Sequence, residues 1–84
     1  MGNVAVTFKI MPESPDVDID RLKNQIRNKI DAQEIKEEPL AFGLVALKVL
    51  VVVPDSAGGT DRIEKELSTI KGVASVETED VTLL

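Results

Sequence analysis

The run Leu44-Val45-Ala46-Leu47-Lys48-Val49-Leu50-Val51-Val52-Val53 constrains the fold more than any other stretch of this chain. It is almost wholly apolar and is closed by Pro54. It is too short to cross a bilayer as a helix. Valine is stiff at χ1 and packs well on a pleated surface, so the run reads as a strand. A strand that is apolar at nearly every position needs cover on much of both faces, which makes it central in a sheet. Lys48 breaks the symmetry. Its charge turns one parity outward and assigns Val45, Leu47, Val49, Val51 and Val53 to the core.

The flanking segments supply the rest of a sheet and its cover. Val4, Val6, Phe8 and Ile10 alternate with Asn3, Ala5, Thr7 and Lys9, which predicts a half-buried strand over residues 3–11. Pro12 and Pro15 end it. Ile19, Leu22, Ile26 and Ile30 recur at helical spacing, predicting a helix from Asp16 to about Asp31. Asp16, Asp18 and Asp20 stand at its start, where carboxylates cap free amides and oppose the dipole. Gln33 to Leu40 is a weaker strand with Ile35 as its one clear apolar residue. Lys36, Glu37, Glu38 and Pro39 mark it as an edge. Residues 54–59 form a turn-rich loop, and Thr60 is the expected N-cap of a second helix carrying Ile63, Leu67 and Ile70. Gly72 is its expected stop. Val73 to Leu84 is a closing strand whose parity slips: Ala74, Val76 and Thr78 fit one alternation, Val81 and Leu83 the other. That predicts a bulge or an end of pairing near Glu79-Asp80.

Strand, helix, strand, strand, helix, strand is the βαββαβ order of an α+β, ferredoxin-like sandwich: a four-stranded antiparallel sheet with two helices on one face. Right-handed crossovers place the first and third strands in the centre, and these are the two most apolar runs. The 84 residues allow one domain, 1–84, with a small core.

Composition excludes several function classes. The formal charge of −5 argues against a direct nucleic-acid binder held by phosphate contacts, and suits a basic protein partner. There is no cysteine, histidine, tryptophan or tyrosine, so neither a disulfide framework nor an imidazole-based catalytic or metal site has material. Asp16-Val17-Asp18-Ile19-Asp20 looks like the start of a calcium loop, but Arg21 and Arg27 occupy the positions that need glycine and glutamate. Gly58-Gly59-Thr60-Asp61 lacks the Gly-Lys-Ser/Thr of a phosphate loop. Glu77, Glu79 and Asp80 read as a solvated strand edge. No aromatic pair on the central strands serves base stacking, since Phe8 points to the core side. The expectation is a protein with no catalytic residue, metal or cofactor. The start Met1-Gly2-Asn3-Val4 has no basic-then-apolar leader, so the expected compartment is cytoplasmic, with no membrane association.

Phe42 is the residue on which function turns. It is one of only two aromatics, and it sits between Ala41 and Gly43 where the central run begins. Two readings stay open from the residues alone: a ring capping the sheet edge, or a ring presented to a partner.

The segment Pro39-Leu40-Ala41-Phe42-Gly43-Leu44, continuing through Ala46-Leu47, resembles the guanine-nucleotide exchange domain family of translation elongation factor 1-beta/delta in its short archaeal form. Met11-Pro12, Val17-Asp18, Leu22, Gly59-Thr60 and Val73-Ala74-Ser75-Val76 add weaker matches, so the likeness spans Val4 to Leu84. The resemblance implies exchange of GDP for GTP on the GTPase elongation factor 1-alpha, without covalent chemistry. It implies that Phe42, framed by Leu40, Ala41 and Gly43, inserts into the GTPase. It also implies that Val81, Thr82, Leu83 and Leu84 approach the nucleotide and magnesium site. The likeness breaks at the tail, where eukaryotic members carry a lysine next to last and this chain has Leu83. The rival class is a regulatory or assembly module that binds a small ligand or pairs with itself. It would use the open sheet face around Ala5, Thr7, Ala46, Leu50 and Val52.

Overall fold

The computed structural model describes residues 2–54 and 59–83. The elements run β1 (Asn3–Pro12), α1 (Ile19–Lys29), β2 (Glu34–Pro39), a single 3-10 turn (Ala41–Gly43), β3 (Val45–Pro54), α2 (Gly59–Ser68) and β4 (Val73–Leu83). The sheet is antiparallel throughout, in the order β2-β3-β1-β4. This is the α+β ferredoxin-like sandwich that the order of patterns predicts, with the two apolar runs in the centre.

The core follows from parity. Val4, Val6, Phe8 and Ile10 of β1 and Leu47, Val49 and Val51 of β3 point to one side of the sheet. There they meet Leu22, Ile26 and Ile30 from α1, and Leu67 and Ile70 from α2 and the turn after it. Both helices therefore cover the same face. Phe8 is fully enclosed, so the two aromatics part company: one in the core, the other elsewhere. The opposite face carries Lys48, as its charge requires, and Ala46 is buried there. No helix among the described residues is long and apolar enough to cross a membrane.

The helix limits differ from expectation for local reasons. α1 begins at Ile19, not Asp16, because Asp18 is the residue whose carboxylate accepts the Arg21 amide hydrogen, at 3.3 Å. Asp16 is taken up in the preceding turn, where its N–H donates to Ser14 Oγ. α2 already includes Gly59, so Thr60 lies inside the helix instead of capping it, and the cap position falls outside the described residues. The expected loop at 55–58 falls outside them too. α2 ends at Ser68, short of Gly72. Ser68 Oγ donates to the Lys65 carbonyl at 2.8 Å and Thr69 Oγ1 to that of Glu66 at 2.7 Å, and hydroxyl competition for these acceptors closes the last turn. Gly72 instead turns the chain into β4, with φ at 99°.

The parity slip in β4 is a bulge. Thr7 pairs with Asp80 and Phe8 with Thr78, leaving Glu79 as the extra residue. A second irregularity lies between Met11 and Pro12 on β1, opposite Ala74. The bulge at Glu79 returns Val81 and Leu83 to the parity of Val6 and Val4.

Candidate functional site

β2 and β3 are joined tightly. Pro39 and Val45 are their last pair, and the Leu40 N–H donates to the Leu44 carbonyl at 2.7 Å. Three residues close the loop: Ala41, Phe42 and Gly43. So short a connection needs left-handed backbone, and it takes two successive residues to provide it. Phe42 has φ 64° and ψ 26°, and Gly43 has φ 78°. Glycine adopts this region at no steric cost. For a residue with a Cβ it costs about 1–2 kcal/mol, and for a bulky ring it is a genuine outlier. Phe42 is the one non-glycine with positive φ among the described residues.

The ring gains nothing from its own fold in return. Phe42 is 93% exposed. The sheet-edge reading of Phe42 is therefore excluded: the side chain stands clear of the protein. Ala41 and Gly43 beside it are exposed and small, so a partner can approach the ring's base closely. Leu40 is half-buried. Pro15, from the turn after β1, lies next to Gly43, since a Cβ built there would meet the Pro15 Cβ at 3.8 Å. Strain and exposure thus coincide at one residue, and backbone strain of this kind clusters at ligand clamps and switch regions.

The tail residues sit elsewhere. Val81, Thr82 and Leu83 pair with Val6, Ala5 and Val4 at the far end of β1. Val81 is 54% exposed and Leu83 72%, although their neighbours Val6 and Val4 are buried. β4 is an edge strand there, and two apolar side chains are left at the rim. Leu84 lies outside the described residues. The structure therefore brings Leu40, Ala41, Phe42 and Gly43 together and separates them from the tail. Val45 pairs beside the Phe42 turn, while Val53 pairs with Val4, which pairs with Leu83. Eight residue steps along β3 separate Val45 from Val53, about 26 Å at ~3.3 Å per residue.

Between the two ends lies a feature the sequence showed only in part. Lys48 Nζ sits 2.9 Å from Glu38 of β2 and 2.8 Å from the bulged Glu79 of β4. Its hydrogen bond to Lys48 holds the Glu38 carboxyl below the usual glutamate range, and the two carboxylates push the Lys48 ammonium well above its ordinary value. Lys9 and Lys36 pair with Lys48 from either side. The uncovered face is thus crossed by charge. Its apolar members Ala5, Leu50 and Val52 are half-buried neighbours, Ala5 pairing with Val52 and Thr7 with Leu50, and the lysines lie beyond them along the strands. The lone lysine in the apolar run was the visible signal of this cluster. Its two partners were not legible, because they come together only through strand order and the bulge.

The described candidate residues do not line the groove beside α1. The surface groove of about 530 Å³ beside α1 is bounded by Gln25, Asn28, Lys29, Thr69, Ile70 and Lys71. Among the described residues no group of His, Cys, Asp and Glu side chains is placed to hold a metal ion. The described residues offer an exposed ring at one end of the sheet and an apolar rim at the other.

Comparison with known proteins adds an independent line. Residues 5–84 match the family model described as the EF-1 guanine nucleotide exchange domain. Elongation factor 1-beta of Methanoculleus marisnigri is 55% identical over 84 residues, covering the whole of both chains. That of Methanothermobacter thermautotrophicus is 52% identical over 88 residues, covering 100% of this chain and 99% of its own. That of Natronomonas pharaonis is 42% identical over 85 residues, with coverage of 96% and 97%.

Proposed function

The chain belongs to the EF-1 guanine nucleotide exchange domain family and is a translation elongation factor, and from that premise we propose that it promotes exchange of GDP for GTP on elongation factor 1-alpha. The chain, residues 1–84, acts as one exchange domain in the cytoplasm. The observation that carries this reading is Phe42, fully presented on a strained and tightly closed turn.

Exchange of this kind makes and breaks no covalent bond. The factor binds the nucleotide-free GTPase more tightly than the loaded one, and by linkage the factor and the nucleotide weaken each other by the same ratio. Phe42 serves as the wedge. A phenyl ring is rigid and loses little rotamer freedom on docking, and this one leaves water without uncovering any of its own core. Leu40, Ala41 and Gly43 shape its base. Val81, Thr82, Leu83 and Leu84 make a second contact, which works by apolar packing because no basic residue follows Lys71. The separation of about 26 Å along the sheet means that the two contacts address two patches of the GTPase.

The test is release of a fluorescent guanine nucleotide from purified elongation factor 1-alpha, with and without this protein. Stimulated release is expected. Phe42→Ala should keep its fold and lose roughly 30- to 900-fold in stimulation, the equivalent of an anchor worth about 2–4 kcal/mol. Normal stimulation by that variant, or no stimulation by the parent chain, would refute the reading.

A further inference from the structure

We propose that Lys48 is a positioning residue for the Phe42 turn, tying Glu38 at the end of β2 to the bulged Glu79 of β4; this rests on the reading of Phe42 as the partner-facing anchor and adds how the ring is kept on aim. β2 is the weakest element of the sheet. It has a neighbour on one side only, and Ile35 is its one residue packed against the core. Glu34, Lys36 and Glu37 are exposed. Apolar burial therefore holds the start of the strand and does little for its end, yet that end carries Phe42.

Two charged contacts hold the end instead, one from each face. Glu37 shares the parity of Leu47, on the helix side, and meets Lys23 of α1 in an ion pair. Glu38 shares the parity of Ala46, on the uncovered side, and meets Lys48 at 2.9 Å. The third contact of β2, Glu34 with Lys36 at 3.9 Å, lies within the strand and ties it to nothing. Lys48 is fixed in turn by Glu79 at 2.8 Å. Glu79 reaches it because the bulge puts an extra residue beside Asp80, which pairs with the outward Thr7. The edge opposite the turn thus helps to set the turn. Exposed ion pairs add little to global stability, so the consequence of this bridge lies in local order. A contact residue whose supporting shell is loose by about 1 Å loses much of its effect.

The test has two readouts on the full-length chain. The first is amide hydrogen exchange, which does not involve the GTPase. Lys48→Met keeps the aliphatic stem and removes the charge. It should speed exchange of the Leu40 amide, which bonds across the turn, by about tenfold, and leave the Val6 and Phe8 amides of β1 unchanged. Glu79→Gln should do the same more weakly, and Lys48→Arg should restore protection. Equal protection at Leu40 in Lys48→Met and parent overturns the proposal, as does uniform loss of protection across the sheet. The second readout is nucleotide release from elongation factor 1-alpha. Lys48→Met should lower stimulation about 3- to 10-fold in the parent and have no further effect in the Phe42→Ala background, measured at factor concentrations where that variant retains activity. A loss of equal size in both backgrounds overturns the proposal. If Phe42→Ala stimulates normally, the anchor reading falls as well, whereas unchanged Leu40 protection with an inactive Phe42→Ala sinks the Lys48 role alone.

Discussion

At Phe42 the Cβ is driven toward its own chain by a left-handed backbone, while the ring it carries lies in water. Either condition is tolerable alone, and together they leave the fold with a debit and no local return. Phe42→Gly should therefore raise stability by about 1 kcal/mol, seen as a higher urea midpoint, while abolishing stimulated nucleotide release. A lower midpoint would show that the ring does structural work after all. How much of this was legible differs by residue. Phe8 announced its burial by sharing the parity of Val6 and Ile10, in alternation with Thr7 and Lys9. Phe42 did not announce its exposure, because a ring between alanine and glycine fits a capped edge as well as a projecting tip. Its φ angle is set by the two-residue demand of the turn and not by its own preference.

Among the elements, the strands were legible and the helix ends were not. Alternation over ten residues is read once per residue and averages out local exceptions, whereas a cap is decided by a single contact. Three aspartates offered themselves at the start of α1, and only the geometry of the Arg21 amide selected Asp18. The β4 bulge was visible because apolar residues changed parity, but its purpose was not, since Lys48 and Glu79 are partners only in three dimensions. That ion-pair cluster carries a pH signature. Lys48 lowers the pKa of Glu38, so ionised Glu38 stabilises the folded chain. The contribution is fully present above the ordinary glutamate range and is lost as the pH falls through the lowered value. Because the pair is exposed the effect is small: Glu38→Gln should melt only slightly below the parent at neutral pH and match it in strong acid. The raised Lys48 value points the other way, so its contribution is lost only in strong alkali.

For the molecule as a whole, the described residues measure 42 × 21 × 17 Å, and the long axis is a consequence of strands ten and eleven residues long. Sites this far apart with no shared neighbour act independently. Removing Leu83 and Leu84 should leave the fold in place, since Leu83 is largely exposed, and should lower stimulated release. Combined with Phe42→Ala, the two losses should multiply as rates, and a combined loss no larger than the greater single one would show that the two ends serve a single contact. One further property follows from β3 running unbroken from the turn to the level of the tail. It works as a ruler with a coarse scale. Adding one residue inverts every side chain beyond it unless a bulge absorbs it, as at Glu79 in β4, whereas a pair keeps the faces and lengthens the span by about 6.6 Å. A different spacing between the Phe42 turn and the rim of β4 therefore comes in double steps, through a bulge, or from a remade turn.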